Sequence, residues 1–212
     1  MAHRSLILLP FLMLGGSANT LSAQATKIQV QVYDHTDLKP PALREFVART
    51  QRILVDAGVS AQVKLCKGNG AMSCENESAI TRRLVIRVVA GGPRRMSNVR
   101  RPPLGQSFAG PEGGTYASVF LERVWDAAAD ANVPWVIVLA YATVHEVGHL
   151  LLGDDAHTAR GLMKANWDRK DYEAMSQKNF HFSEEQAWEL KKLYGVQTQE
   201  EQGVGAVLAS PR

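Results

Sequence analysis

The chain has 212 residues, 45% of them hydrophobic and 21% charged, which suits a globular domain with room for a real core. Its 24 Lys+Arg against 21 Asp+Glu give a formal charge of +3. That balance is too weak to argue for nucleic acid or an anionic membrane surface as a partner.

Residues 1–25 stand apart. They carry Arg4, then an apolar run over residues 6–14, then a small-residue exit ending Ala23-Gln24-Ala25. These are the three regions of a secretory signal peptide, and the apolar run is too short to span a bilayer comfortably. The expectation is an exported chain, secreted or periplasmic, with no membrane contact after cleavage. A single domain would then occupy residues 26–195. Cleavage removes one base and no acid, leaving a net +2 (23 Lys+Arg, 21 Asp+Glu).

Residues 27–33 read K-I-Q-V-Q-V-Y, an alternation that places Ile28, Val30 and Val32 on one face of a half-buried strand. Pro40-Pro41 opens a helix whose stripe is Leu43, Phe46, Val47, Ile53 and Leu54, and Gly58 stands at its C′ position. Residues 59–65 alternate again. Strand, helix and strand suggest a βαβ crossover and hence a parallel pair. Cys66 and Cys74, both in the exported part, are expected to form one disulfide. Closing so short a loop stabilises by about 2–3 kcal/mol on the chain-entropy model.

Residues 84–89 form a third apolar strand. Residues 91–114, rich in Gly, Pro and Arg, read as a long surface loop, with Arg94, Arg95, Arg100 and Arg101 as its solvated charges. Residues 115–121 are a fourth strand. Asn132 is read as the cap of the next helix, with Pro134 in its first turn. That helix runs to Gly153 and is apolar nearly all round, so it belongs in a core. A membrane span would suit its length, but the sequence offers no second such segment to build a bundle around its ionisable groups. Ser183-Glu184-Glu185-Gln186 starts a last helix ending at Gly195, and residues 196–212 read as a flexible tail.

The chemistry lies in His145-Glu146-Val147-Gly148-His149. Residues four apart share a helix face, so both imidazoles can point at one metal ion. Glu146 projects beside that stripe, where it can act as general base on a water that zinc activates. Ionisable groups inside an apolar helix are costly unless paired or metal-bound, which favours a catalytic reading over chance. A catalytic zinc site needs a third protein ligand. His157 is preferred, with Asp155 and Glu173 as alternatives.

This stretch resembles the metzincin clan of zinc peptidases, whose pattern is HExxHxxGxxH, or Asp last, followed by a methionine turn. His145, Glu146 and His149 match residue for residue. Gly153 falls one position late, His157 falls two positions late, and Asp155 occupies the clan's third-ligand position. Gly161-Leu162-Met163 looks like the methionine turn. The order from HEVGHLLLG to Trp167 is also similar to small secreted bacterial proteins of unassigned function. The specific part of the resemblance spans about residues 145–167.

The resemblance implies an α+β fold: a small mixed sheet with a βαβ start, a buried active-site helix, and a C-terminal subdomain of irregular structure and one helix. It implies Zn2+ as cofactor and a peptide or protein substrate lying extended beside an edge strand, for which residues 115–121 are the candidate. A zinc amidase or deacetylase, or a non-catalytic exported binding protein, are the competing readings. The oligomeric state is not legible.

Overall fold

Alternating apolar residues build the sheet. The computed structural model describes residues 28–66, 74, 80, 82–93 and 102–195. The expected signal peptide, the 196–212 tail and the four arginines of the 94–101 segment lie outside the described residues. The strands are β1 (Ile28–Asp34), β2 (Ala61–Cys66), β3 (Arg82–Val89), β4 (Gly105–Gly110) and β5 (Gly113–Phe120), in lateral order β2-β1-β3-β5-β4. β1 pairs in parallel with β2 and β3, and β3 with β5. β4 lies antiparallel to β5 at the edge.

Register decides which side chains form the core. Val63, Val30 and Leu84 lie side by side, as do Val32, Ile86 and Ala117. All six are buried on one face. Onto this face packs α1 (Pro40–Asp56), which makes the expected βαβ crossover. Its stripe buries Phe46, Thr50 and Leu54, and Gly58 at φ +79° turns the chain out of the helix. Full burial of an aromatic or leucine side chain contributes about 1.5–3 kcal/mol.

Beside α1 lies α3 (Trp135–Leu152), apolar on every side. By length and hydropathy it could cross a membrane, but 83% of it is buried here, against α1, β5, β4 and α2 (Leu121–Ala131). It is a core helix of this fold. Arg82 fastens its C-terminal end, donating to the Leu150 carbonyl at 2.7 Å, the Gly114 carbonyl at 2.9 Å and the Tyr194 hydroxyl at 2.7 Å. Leu150 is among the last carbonyls of the helix, which have no partner within it. Two short helices complete the described chain, α4 (Arg169–Ser176) and α5 (Glu184–Tyr194). Cys66 and Cys74 are disulfide-bonded.

Several sequence expectations are corrected. The supposed 91–114 loop contains β4, so among the described residues β4 lies at that edge of the sheet and the 115–121 strand is interior. Asn132 does not open α3. It closes α2 in the left-handed conformation (φ 56°), its N–H reaching Ala129, and Pro134 precedes α3 instead. The C-terminal part holds two helices rather than one. At the start of α5, Ser183 accepts from the Gln186 amide at 3.2 Å, but the Gln186 side chain leaves the cap and donates to the Ala156 carbonyl at 2.7 Å. β1 is buried on both faces, since Gln29 and Gln31 are also buried and bond to each other at 2.8 Å.

Candidate metal centre and cleft

Helical spacing brings His145 and His149 to one face of α3, their rings 5.0 Å apart. Gly153, at φ +100°, lets the chain leave the helix sharply. A side chain there would strike the Pro111 carbonyl, because a Cβ would lie 2.6 Å from it. The returning segment is pinned twice. Asp154 N–H donates to Gly110 O at 3.3 Å, and Gln186 of α5 holds Ala156 O. His157 is thereby delivered to the pair, its Nε2 3.1 Å from His149 Nε2. One ring nitrogen from each of the three histidines lies within 4.8 Å of the other two.

The alternative ligands are not brought to this cluster. Asp155 is exposed, and Glu173 accepts from Arg169 at 3.1 Å on α4. His35 and His181 are exposed away from it, and Tyr141 is core, edge-on to Phe180 at 5.7 Å.

Backbone carbonyls orient two of the imidazoles. His145 Nδ1 meets Leu162 O at 2.9 Å, and His149 Nδ1 meets Gly153 O at 3.2 Å. A carbonyl only accepts, so both Nδ1 atoms carry the proton and both Nε2 atoms present lone pairs. Burial, offset in part by the Leu162 bond, lowers the His145 pKa to about 4. Burial lowers that of His149 as well. Neutral imidazole is the ligating form.

Glu146 turns toward β4. Its pKa is pushed up to about 8 by burial, against the opposing hydrogen bond from Ser107. A Cβ on Gly105 would stand 2.6 Å from a Glu146 carboxylate oxygen, so only glycine admits the carboxyl so close to the strand. Gly148 plays a similar part on the opposite side: a Cβ there would lie 2.4 Å from Met163 Sδ. Met163 is fully buried beneath the helix. His145, Glu146, His149, His157, Gly105 and Trp167 all line one cleft of about 520 Å³. Sequence reading missed Ser107 and Gly105. The usable signal was the Pro111-Glu112-Gly113 turn, which marks a hairpin with β4 before it.

The sheet with one antiparallel edge strand, and the buried histidine helix beside that edge, make the mixed-sheet α+β fold expected from the sequence. Among solved structures the chain is similar to archaemetzincin from Methanopyrus kandleri, with a TM-score of 0.52 and 14% identity over 81% of this chain and 98% of that one. At that identity the likeness is one of fold. No family model matches the chain, and neither does any curated protein.

Proposed function

We propose that this protein is an exported zinc-dependent metallopeptidase, with His145, His149 and His157 as metal ligands and Glu146 as general base. One observation carries the reading: three imidazoles converge beside a buried carboxyl in a single cleft. The donor set fits zinc. Arms of about 2.0–2.1 Å give a tetrahedral edge of about 3.3 Å, close to the Nε2–Nε2 spacing of His149 and His157. Two of the three ligands already present neutral lone pairs, and the open side of the cleft leaves a position for substrate. Bound there, zinc would polarise water and the scissile carbonyl as a Lewis acid.

The remaining chemistry belongs to the chain. Glu146 takes the proton of the attacking water and returns it to the leaving amine. A divalent charge held by the imidazoles favours its carboxylate form, and the Ser107 hydroxyl supports the same form. The outer edge of β4, unpaired with any other strand among the described residues, offers main-chain groups to an extended peptide, so β4 takes the substrate-binding role expected of residues 115–121. The Cys66–Cys74 bond supports an oxidising compartment, in keeping with a cleaved segment 1–25 and a mature domain over 26–195. The name of archaemetzincin places that neighbour with the metzincins, which supports the same class.

Glu146→Gln tests the reading. The variant should keep its zinc and lose hydrolysis of unfolded casein by about 10²–10⁴-fold, since an amide cannot accept the proton. Undiminished hydrolysis overturns the assigned base. Hydrolysis of cell-wall fragments but not of casein moves the protein to the amidases.

A further inference from the structure

The Leu162 carbonyl receives two side-chain donors at once, His145 Nδ1 at 2.9 Å and Trp167 Nε1 at 3.2 Å. The same indole stands edge-on to the His145 ring, 5.5 Å between centroids and 86° between planes. Trp167 is itself buried, with Phe180 edge-on at 5.8 Å and Tyr172 at 6.1 Å. Leu162 lies in a turn outside any helix or strand, where its N–H donates to His181 O at 2.7 Å. The carbonyl that sets the His145 tautomer therefore has no regular element to hold its direction. Main-chain bonds brace the carbonyls on either side (Lys164 N–H to Gly161 O and Thr158 N–H to Met163 O, each 3.0 Å), and the indole N–H is the side-chain donor that, beside His145, holds the Leu162 oxygen itself.

We propose that Trp167 is a positioning residue for the metal centre, fixing through its N–H the Leu162 carbonyl and through its ring edge the plane of the His145 imidazole. The inference rests on the zinc reading above. A histidine ring otherwise exchanges tautomers, which puts the proton on Nε2 and removes its lone pair, and turns about its χ2 axis, which carries Nε2 away from His149 and His157. Two contacts from one rigid side chain oppose both the proton shift and the rotation. Groups that orient a ligating histidine typically govern metal affinity by 10–100-fold.

The test is a zinc competition titration of the full chain, comparing wild type with Trp167→Phe, Trp167→Leu and Trp188→Phe. Phenylalanine keeps a ring and removes the N–H; leucine removes both; Trp188 is 64% exposed on α5 and serves as control. Affinity should fall about tenfold for the phenylalanine variant and toward a hundredfold for leucine, and stay unchanged for the control. Nitrogen-15 shifts of the metal-free protein give a second readout: His145 should be purely Nδ1-protonated in wild type and mixed in Trp167→Phe. This readout decides the matter if the leucine variant fails to fold. Equal zinc affinity and an unchanged tautomer in Trp167→Phe overturn this inference alone. A wild-type chain that takes up no zinc overturns it together with the metal reading.

Discussion

Replacing Gly148 with alanine probes how tightly the active-site helix sits on the turn beneath it. The new methyl would lie 2.4 Å from Met163 Sδ, 3.0 Å from its Cε and 3.2 Å from Phe182 Cε1, all inside ordinary contact distance. Met163 is flexible, but it is fully buried, with Phe182 buried beside the same glycine, so its sulfur has little room to retreat. Overpacking of this kind costs about 1–3 kcal/mol. The better helix propensity of alanine offsets about 1 kcal/mol of that. The net expectation is a loss of up to about 2 kcal/mol, or about 2–4 °C of melting temperature per kcal/mol for a domain of this size. Met163→Ala alone should cost about 2–5 kcal/mol through the cavity it leaves. In that background the sulfur and its methyl are gone, only the 3.2 Å approach to Phe182 remains, and Gly148→Ala should now stabilise by up to about 1 kcal/mol. The sign reversal is the signature of direct contact. Denaturant melts of the four proteins in chelator measure it. An effect of the same sign and size in both backgrounds would refute the packing argument.

Three further outcomes follow from the geometry. Gly105→Ala should displace the Glu146 carboxyl by close to 1 Å and lower peptide hydrolysis by about 10²-fold with zinc retained; kinetics on a labelled peptide, with metal content measured alongside, check this. Arg82→Met should cost about 2–3 kcal/mol in urea melts, because it strips the charge-assisted bonds from Leu150, Gly114 and Tyr194. For the metal-free protein, stability in denaturant titrations should change little between about pH 4.5 and 6.5, with His149 tilting it upward, and should fall from 6.5 toward 8. His145, at about 4 when folded against 6.5 unfolded, binds its proton more readily in the unfolded chain, so its contribution falls as pH drops from 6.5 to 4, and His149 acts in the same direction. Glu146, at about 8 when folded against 4.5 unfolded, keeps its proton in the folded chain, so its contribution falls as pH rises from 4.5 to 8. Below 6.5 the Glu146 and His145 effects oppose one another; above it Glu146 acts alone.

The helix carrying His145, Glu146 and His149 was legible because three ionisable residues interrupt an otherwise apolar run. The βαβ start was legible because periodicity switches from two to 3.6 and back between residues 28 and 65. β4 was hidden because glycine, serine and a neighbouring run of prolines read as loop chemistry, whereas its strand character comes from pairing with β5. Asn132 misled because asparagine suits both ends of a helix, and only the backbone angle decides which. The Leu162 and Gly153 carbonyls, which orient two histidines, were invisible: a main-chain oxygen carries no residue identity. The delivery of His157 by Gln186 is equally a tertiary fact, since thirty residues separate Gln186 from Ala156.

Zinc K-edge absorption spectroscopy on the purified chain, with metal content determined on the same sample, tests the central claim most directly. The account predicts one zinc per chain with three imidazole nitrogens at about 2.0–2.1 Å and a remaining light-atom ligand. Absence of stoichiometric zinc after reconstitution, or a shell of fewer than three imidazoles, would contradict it.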